Sequence, residues 1–158
     1  MDNKLAAWLR SHKLPEEESL RRSVFYYPYY LDSPYWIIDA EVEGLQYFSG
    51  YPGGEQLFIS SSIPHAYREF VLTHEIYEFE TRIEWPELCR SASYQEAKLF
   101  EIKFLNANER LAYWSFRVSF FRELVAYEER TNFGSERIEG FRLSLAFFEG
   151  LQNRDWPA

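Results

Sequence analysis

The residues best suited to chemistry in this sequence are His74, Glu75 and Glu78, which form a His-Glu-x-x-Glu pattern. On a helix, side chains four positions apart lie on one face, so His74 and Glu78 can reach a common point. An imidazole and a carboxylate that converge in this way can ligate a divalent metal ion. Glu75 would lie beside that point, where the general base of a zinc hydrolase stands. The spacing therefore predicts a metal-binding helix.

Two later carboxylates could complete such a site. Glu96 and Glu101 belong to a segment in which Ala97, Phe100 and Phe104 recur at helical spacing. The residues themselves leave open which of the two carboxylates would be the third ligand.

The stretch 57–105 resembles the core of the ImmA/IrrE type of minimal zincin metallopeptidase. The resemblance consists of a strand-like segment at 57–61, an Arg-Phe approach at 68–70, the start of a metal helix at 71–75 and a Glu-Ala-x-x-Phe run at 96–100. It covers roughly a third of the chain. The resemblance implies a zincin-like fold and a hydrolase that cleaves a specific cytoplasmic protein substrate with a metal-activated water, or a degenerate relative that has kept the fold.

Carried over residue by residue, the resemblance makes His74 a metal ligand, Glu75 the general base and Glu96 the third ligand, with Glu101 as the alternative. Zinc is the metal that the family implies. The departure is Glu78, where the family has histidine. A His-Glu-Glu ligand set is harder and more negative than His-His-Glu, which shifts the preference toward manganese, iron or magnesium.

The order of apolar patterns and turn signals predicts an α+β protein, with a small, mostly antiparallel sheet followed by an active-site helix and a C-terminal helical bundle. We expect one domain over residues 1–158. Its predicted parts are N-terminal helices at 1–23, the sheet at 24–62, zincin-like helices at 63–105 and C-terminal helices at 106–158. Within them we expect strands at 24–30, 35–42 and 57–59, a turn at 51–54, the active-site helix at 64–83, a loop at 85–93 and a helix at 94–105.

Composition sets the outer bounds. With 46% hydrophobic and 20% aromatic residues, the chain should fold into a compact core. It contains neither a signal-peptide core nor eighteen consecutive apolar residues, so we expect a cytoplasmic protein with no membrane partner. Cys89 is the only cysteine, which excludes an internal disulfide framework. We expect it to be a small apolar residue in a loop.

A net charge of −8 makes nucleic acid an unsuitable partner and supports a second class of function. An acidic surface attracts basic proteins, so the alternative is a non-catalytic binding protein of the immunity or inhibitor type. In that case Glu78 would pair with Arg82, Glu96 and Glu101 would be surface charges, and His74 would be a partly buried histidine with a hydrogen-bond partner.

Overall fold

The structure is a computed structural model that describes residues 21–26, 34–40, 45–53, 56–131 and 136–157. Residues 1–20 of the predicted N-terminal helices at 1–23 fall outside this range, and residues 21–23 belong to a strand instead. The chain divides into two compact units, Met1–His65 and Ala66–Ala158. Each is described by itself.

The described part of the first unit contains a four-stranded sheet. Its strands are β1 (Arg21–Tyr26), β2 (Pro34–Ala40), β3 (Ser49–Gly53) and β4 (Gln56–Ser60). The strand order is β1-β2-β4-β3, so β1 and β3 are the edges. The pairs β1–β2 and β3–β4 are antiparallel, whereas β2 and β4 are parallel. The sheet is therefore mostly antiparallel, as predicted.

The central strand β4 carries the apolar run that the sequence assigned to a strand. Leu57, Phe58 and Ile59 are wholly buried, which suits a strand covered on both faces. The Ser60 hydroxyl accepts a hydrogen bond of 2.8 Å from the Phe48 backbone N–H. Residues 51–53 of the turn predicted at 51–54 form the end of β3 instead, and residue 54 lies outside the described residues.

The described part of the second unit contains four α-helices. They are α1 (Arg68–Glu80), α2 (Glu87–Lys103), α3 (Ala107–Thr131) and α4 (Arg137–Asp155). Helix α2 packs against α1 and α4, and α3 packs against α4. None of the described helices has the length and apolar character needed to cross a membrane. Together with the sheet, they confirm the α+β class.

Helix α2 begins earlier than the sequence analysis predicted, and the predicted loop at 85–93 is wrong. The helix starts at Glu87, directly after Pro86. Proline suits the start of a helix and a carboxylate in the first turn favours the helix dipole. Leu88 and Ala92 then lie on one buried face. Cys89 is consequently a buried helical residue rather than a loop residue.

Aromatic rings fill the core of the helical unit. The Phe100 ring stacks on Phe104 at 4.5 Å and on Tyr113 at 4.2 Å between ring centroids. Phe121 and Phe148 stack at 5.9 Å and link α3 to α4. These contacts join α2, α3 and α4 around the residues described next.

Candidate metal centre

Helix α1 brings His74 and Glu78 together, one turn apart on its buried face. The side chains are only 2% and 6% exposed, and His74 Nε2 lies 3.5 Å from Glu78 Oε1. The convergence that the spacing predicted is present. The alternative in which Glu78 is a solvated partner of Arg82 is wrong, because Glu78 is buried and Arg82 is exposed.

Helix α2 adds Cys89 to this pair. Its sulfur lies 3.8 Å from His74 Nε2, and the ligand atoms of His74, Glu78 and Cys89 all lie within 4.8 Å of one another. Cys89 was not among the ligands predicted from the sequence, because the residue was expected in a loop. Extending α2 back to Pro86 would have aligned Cys89 with Ser93 and Glu96 on one helical face. This buried group could hold a metal ion.

Glu96 contacts the other nitrogen of His74. The carboxylate is wholly buried, and its Oε1 lies 2.8 Å from His74 Nδ1. The same oxygen accepts a hydrogen bond of 2.5 Å from Arg117 Nη2, and Tyr113 donates its hydroxyl to Oε2. Glu96 is thus not the surface charge of the binding-protein alternative. It orients the imidazole from the side opposite Glu78 and Cys89.

Glu101, the other carboxylate considered as third ligand, points to a different partner. It is partly exposed and accepts a hydrogen bond of 2.7 Å from Arg154 Nη2. The structure therefore groups Cys89, rather than Glu101, with His74 and Glu78.

The charges around His74 shift the pKa values of the cluster. Burial alone would lower the pKa of His74, but the charge of Glu78 and hydrogen bonds to Cys89, Glu78 and Glu96 raise it well above its usual value. Burial would raise the pKa of Glu96, yet the Arg117 charge and the His74 contact bring it below the usual range. Without a metal, the imidazole therefore lies between two carboxylates as a cation.

Cys89 is a protonated thiol in the same metal-free state. Burial and the Glu78 charge raise its pKa to about 11, against the opposing effect of His74. The Ser144 hydroxyl, from α4, donates a hydrogen bond of 2.9 Å to the sulfur, and Ser93 donates one of 2.8 Å to Ser144. A hydrogen bond to sulfur favours the thiolate, the form that binds metals.

Glu75, the predicted general base, is buried on α1. Its charge contributes to the raised pKa of Arg117, so the carboxylate lies within electrostatic reach of that guanidinium. A surface pocket of 280 Å³ is lined by neighbours in sequence of the metal-binding candidates, but not by His74, Glu78 or Cys89. Its lining residues are Tyr77, Arg90, Ser91, Tyr94, Gln95 and Phe147.

The separations at His74 can be compared with those of a tetrahedral metal site. A tetrahedral zinc ion would hold its nitrogen ligand ~3.4 Å from a carboxylate oxygen and ~3.6 Å from a thiolate sulfur. The observed distances from His74 Nε2 are 3.5 Å to Glu78 and 3.8 Å to Cys89. The Glu78–Cys89 pair, within 4.8 Å, would have to close by up to ~1 Å. The three residues could therefore hold a metal ion if Glu78 and Cys89 move closer together.

The chain matches no protein-family model, no curated protein and no solved structure.

Proposed function

We propose that this chain is a metal-binding protein in which His74, Glu78 and Cys89 hold a zinc-type divalent ion between α1 and α2. The observation that carries the proposal is the convergence of three buried ligand atoms within 4.8 Å. Each is a residue type that zinc sites use.

An unsatisfied carboxylate oxygen supports a bound cation. Glu78 Oε1 is buried and makes no hydrogen bond of good geometry among the described residues; its contact with His74 Nε2, at 3.5 Å, is a long ion pair. A fully unpaired oxygen would cost ~1–3 kcal/mol, and more for a charged group, and the long ion pair offsets only part of this cost. A metal ion at this point would satisfy the oxygen and complete the contact with the imidazole.

The donor set favours zinc over the harder ions. A thiolate and an imidazole are soft or intermediate ligands, whereas magnesium and manganese prefer oxygen. The manganese or iron preference expected for a His-Glu-Glu set applies less once Cys89 replaces the second carboxylate. Zinc is therefore the metal that we propose.

We infer a structural rather than a hydrolytic role for the ion. Catalytic zinc sites keep a position open to water and substrate. Here the three ligands are between 1% and 7% exposed, which gives a substrate little access. The metal would instead tie α1 to α2, in a relative of the zincin design that no longer cleaves peptides.

The direct test is the metal content of the purified protein, measured by plasma mass spectrometry beside protein concentration. We expect about one zinc per chain in the wild type and in Glu101→Gln, a control on the same helix as Cys89. We expect loss of zinc in His74→Ala and Cys89→Ser. A wild type that stays metal-free after incubation with zinc, manganese and iron would contradict the proposal.

Hydrolysis is the second candidate, because three protein ligands leave a fourth position and Glu75 follows the histidine ligand as in zinc hydrolases. In that case Glu75 would accept a proton from water during peptide cleavage. The same zinc-loaded preparations, assayed on a mixed peptide library, separate the candidates. Cleavage that is lost in Glu75→Gln while zinc is retained would establish hydrolysis. No cleavage by the loaded wild type would support the structural role.

The acidic binding-protein alternative remains a prediction. On the described helices, surface carboxylates pair with nearby cations, as Glu87 does with Arg90 and Glu129 with Arg142. Such pairing lowers the local potential beside each pair but leaves the net charge of −8 unchanged.

A further inference from the structure

Arg117 on α3 is a wholly buried cation whose position calls for an explanation. Its guanidinium carbon lies 4.3 Å from the ring centroid of Phe120, 4.5 Å from that of Phe121 and 5.5 Å from that of Phe148. Nε and Nη1 are buried without a hydrogen-bond partner among the described residues. The Nη2 group alone makes a short contact, at 2.5 Å, with Glu96 Oε1.

Stability alone is a poor reason to keep such a pair. Removing an arginine and a glutamate from water costs several kcal/mol, and apolar replacements of similar size are often as stable or more so. The three N–H bonds on Nε and Nη1, without a hydrogen-bond partner among the described residues, increase that cost. The contact between Arg117 and Glu96 therefore points to a role in placing Glu96.

The hydrogen bonds at Glu96 define the orientation of His74. An arginine only donates, so Glu96 Oε1 is an acceptor in that contact. His74 Nδ1 lies 2.8 Å from the same oxygen, which makes Nδ1 the protonated nitrogen. In the neutral form of His74 that a metal requires, the lone pair of Nε2 is then directed toward the side of the ring where Glu78 and Cys89 lie.

We propose that Arg117 is a positioning residue for the metal centre: by anchoring Glu96, it holds the His74 ring and its Nδ1–H tautomer so that Nε2 can bind the ion. This inference rests on the proposed metal site at His74, Glu78 and Cys89. It gives α3 a role in that site, although α3 supplies no ligand. Mutation of a carboxylate that accepts the second N–H of a ligating histidine typically lowers metal affinity by about 10- to 100-fold.

The test is a double-mutant cycle on zinc affinity, measured by competition with a chromophoric chelator. The variants are Arg117→Met, Glu96→Gln and the combination of both. Arg122→Met is the matched control, because Arg122 lies on the same helix but is exposed and pairs with Glu149. We expect each single variant to weaken zinc binding about 10- to 100-fold. The double variant should be no weaker than the worse single one, because Arg117 acts through Glu96. Arg122→Met should bind as the wild type does.

A spectroscopic readout distinguishes positioning from a purely structural role. Cobalt substituted for zinc reports the ligand field, and its thiolate charge-transfer band shows that Cys89 remains a ligand. We expect Arg117→Met to alter the visible cobalt bands while the thiolate band persists. Arg117→Lys retains a donor and should recover part of the affinity; it also serves if Arg117→Met does not fold, as judged by circular dichroism.

The outcomes separate this inference from the proposed function. Zinc binding by the wild type with unchanged affinity and cobalt spectrum in the folded Arg117 variants would overturn the positioning role alone. Losses that add in the double variant would also overturn it, because Arg117 would then act independently of Glu96. Absence of zinc binding in the wild type would overturn both proposals.

Discussion

His74 has different partners at its two ring nitrogens. Nδ1 contacts Glu96 at 2.8 Å, whereas Nε2 faces Glu78 and Cys89 at 3.5 and 3.8 Å. An imidazole with one nitrogen held by a carboxylate and the other directed at further ligand atoms is the usual arrangement of a metal-bound histidine. The residue-scale chemistry of the site depends on this division between the two nitrogens.

The single cysteine provides a residue-scale prediction. Cys89 is only 1% exposed, and this burial raises the pKa of its thiol from 9.0 to about 11. In metal-free protein at pH 8, the thiol should therefore react with Ellman's reagent at least about 100-fold more slowly than in guanidinium, since only the thiolate reacts. Cys89→Ser supplies the blank. Equal rates in the native and unfolded states would show that the thiol is accessible and ionised.

Helix α4 is positioned partly by a tryptophan that precedes α2. The Trp85 indole N–H donates a hydrogen bond of 2.7 Å to the Glu136 backbone carbonyl, and its ring meets Phe141 edge-on at 5.7 Å between centroids. Gly140 lies beneath the Trp85 ring, where a methyl group would overlap it. The absence of a side chain at Gly140 therefore lets α4 approach the start of α2, and α4 in turn brings Ser144 to Cys89.

Two glycines on α4 give a matched prediction at the scale of the element. Gly140→Ala should lower the free energy of unfolding by about 1–3 kcal/mol, because overpacking against Trp85 outweighs the better helix propensity of alanine. Gly150→Ala, with open space around its new methyl group, should instead raise stability by about 0.4–1 kcal/mol. Urea denaturation measures both. A stabilised Gly140→Ala protein would mean that Trp85 does not pack as described.

At the scale of the whole molecule, the metal-free protein should be most stable in mildly acidic solution. His74 has a raised pKa, so its stabilisation is complete below the unfolded value of 6.5 and is lost as pH rises through the folded pKa. Glu96 has a lowered pKa, so its stabilisation is present above the unfolded value of 4.5 and is lost as pH falls through the folded pKa. The maximum should lie between about pH 4.5 and 6.5.

Urea denaturation in the presence of a chelator, repeated at several pH values, tests this profile. At a fixed zinc concentration, stability should instead fall as the pH drops from neutral to mildly acidic values, because protons compete with the ion for the same ligands. Saturating zinc at about 100 times its Kd should add about 2.7 kcal/mol near neutral pH, and this gain should shrink as the pH falls. A zinc effect that does not depend on pH would contradict binding through His74 and Cys89.

The meeting of His74 and Glu78 could be predicted from the chain because it depends only on helical periodicity. The same local rules identified the apolar strand at 57–59 and the C-terminal helices at 106–158, which are α3 and α4. They failed at the start of α2, where Pro86 was interpreted as the beginning of a loop although proline also begins helices.

The rest of the site depends on contacts between residues far apart in sequence. Periodicity can place Cys89, Ser93 and Glu96 on one face of α2, but it does not specify which atoms of another helix that face will meet. Packing of α1, α3 and α4 against α2 assigns Cys89 to Nε2 of His74, Glu96 to Nδ1 and Arg117 to Glu96. Such pairings follow from the burial of apolar surface by whole helices, which carries the polar groups with it. No local spacing rule contains that information.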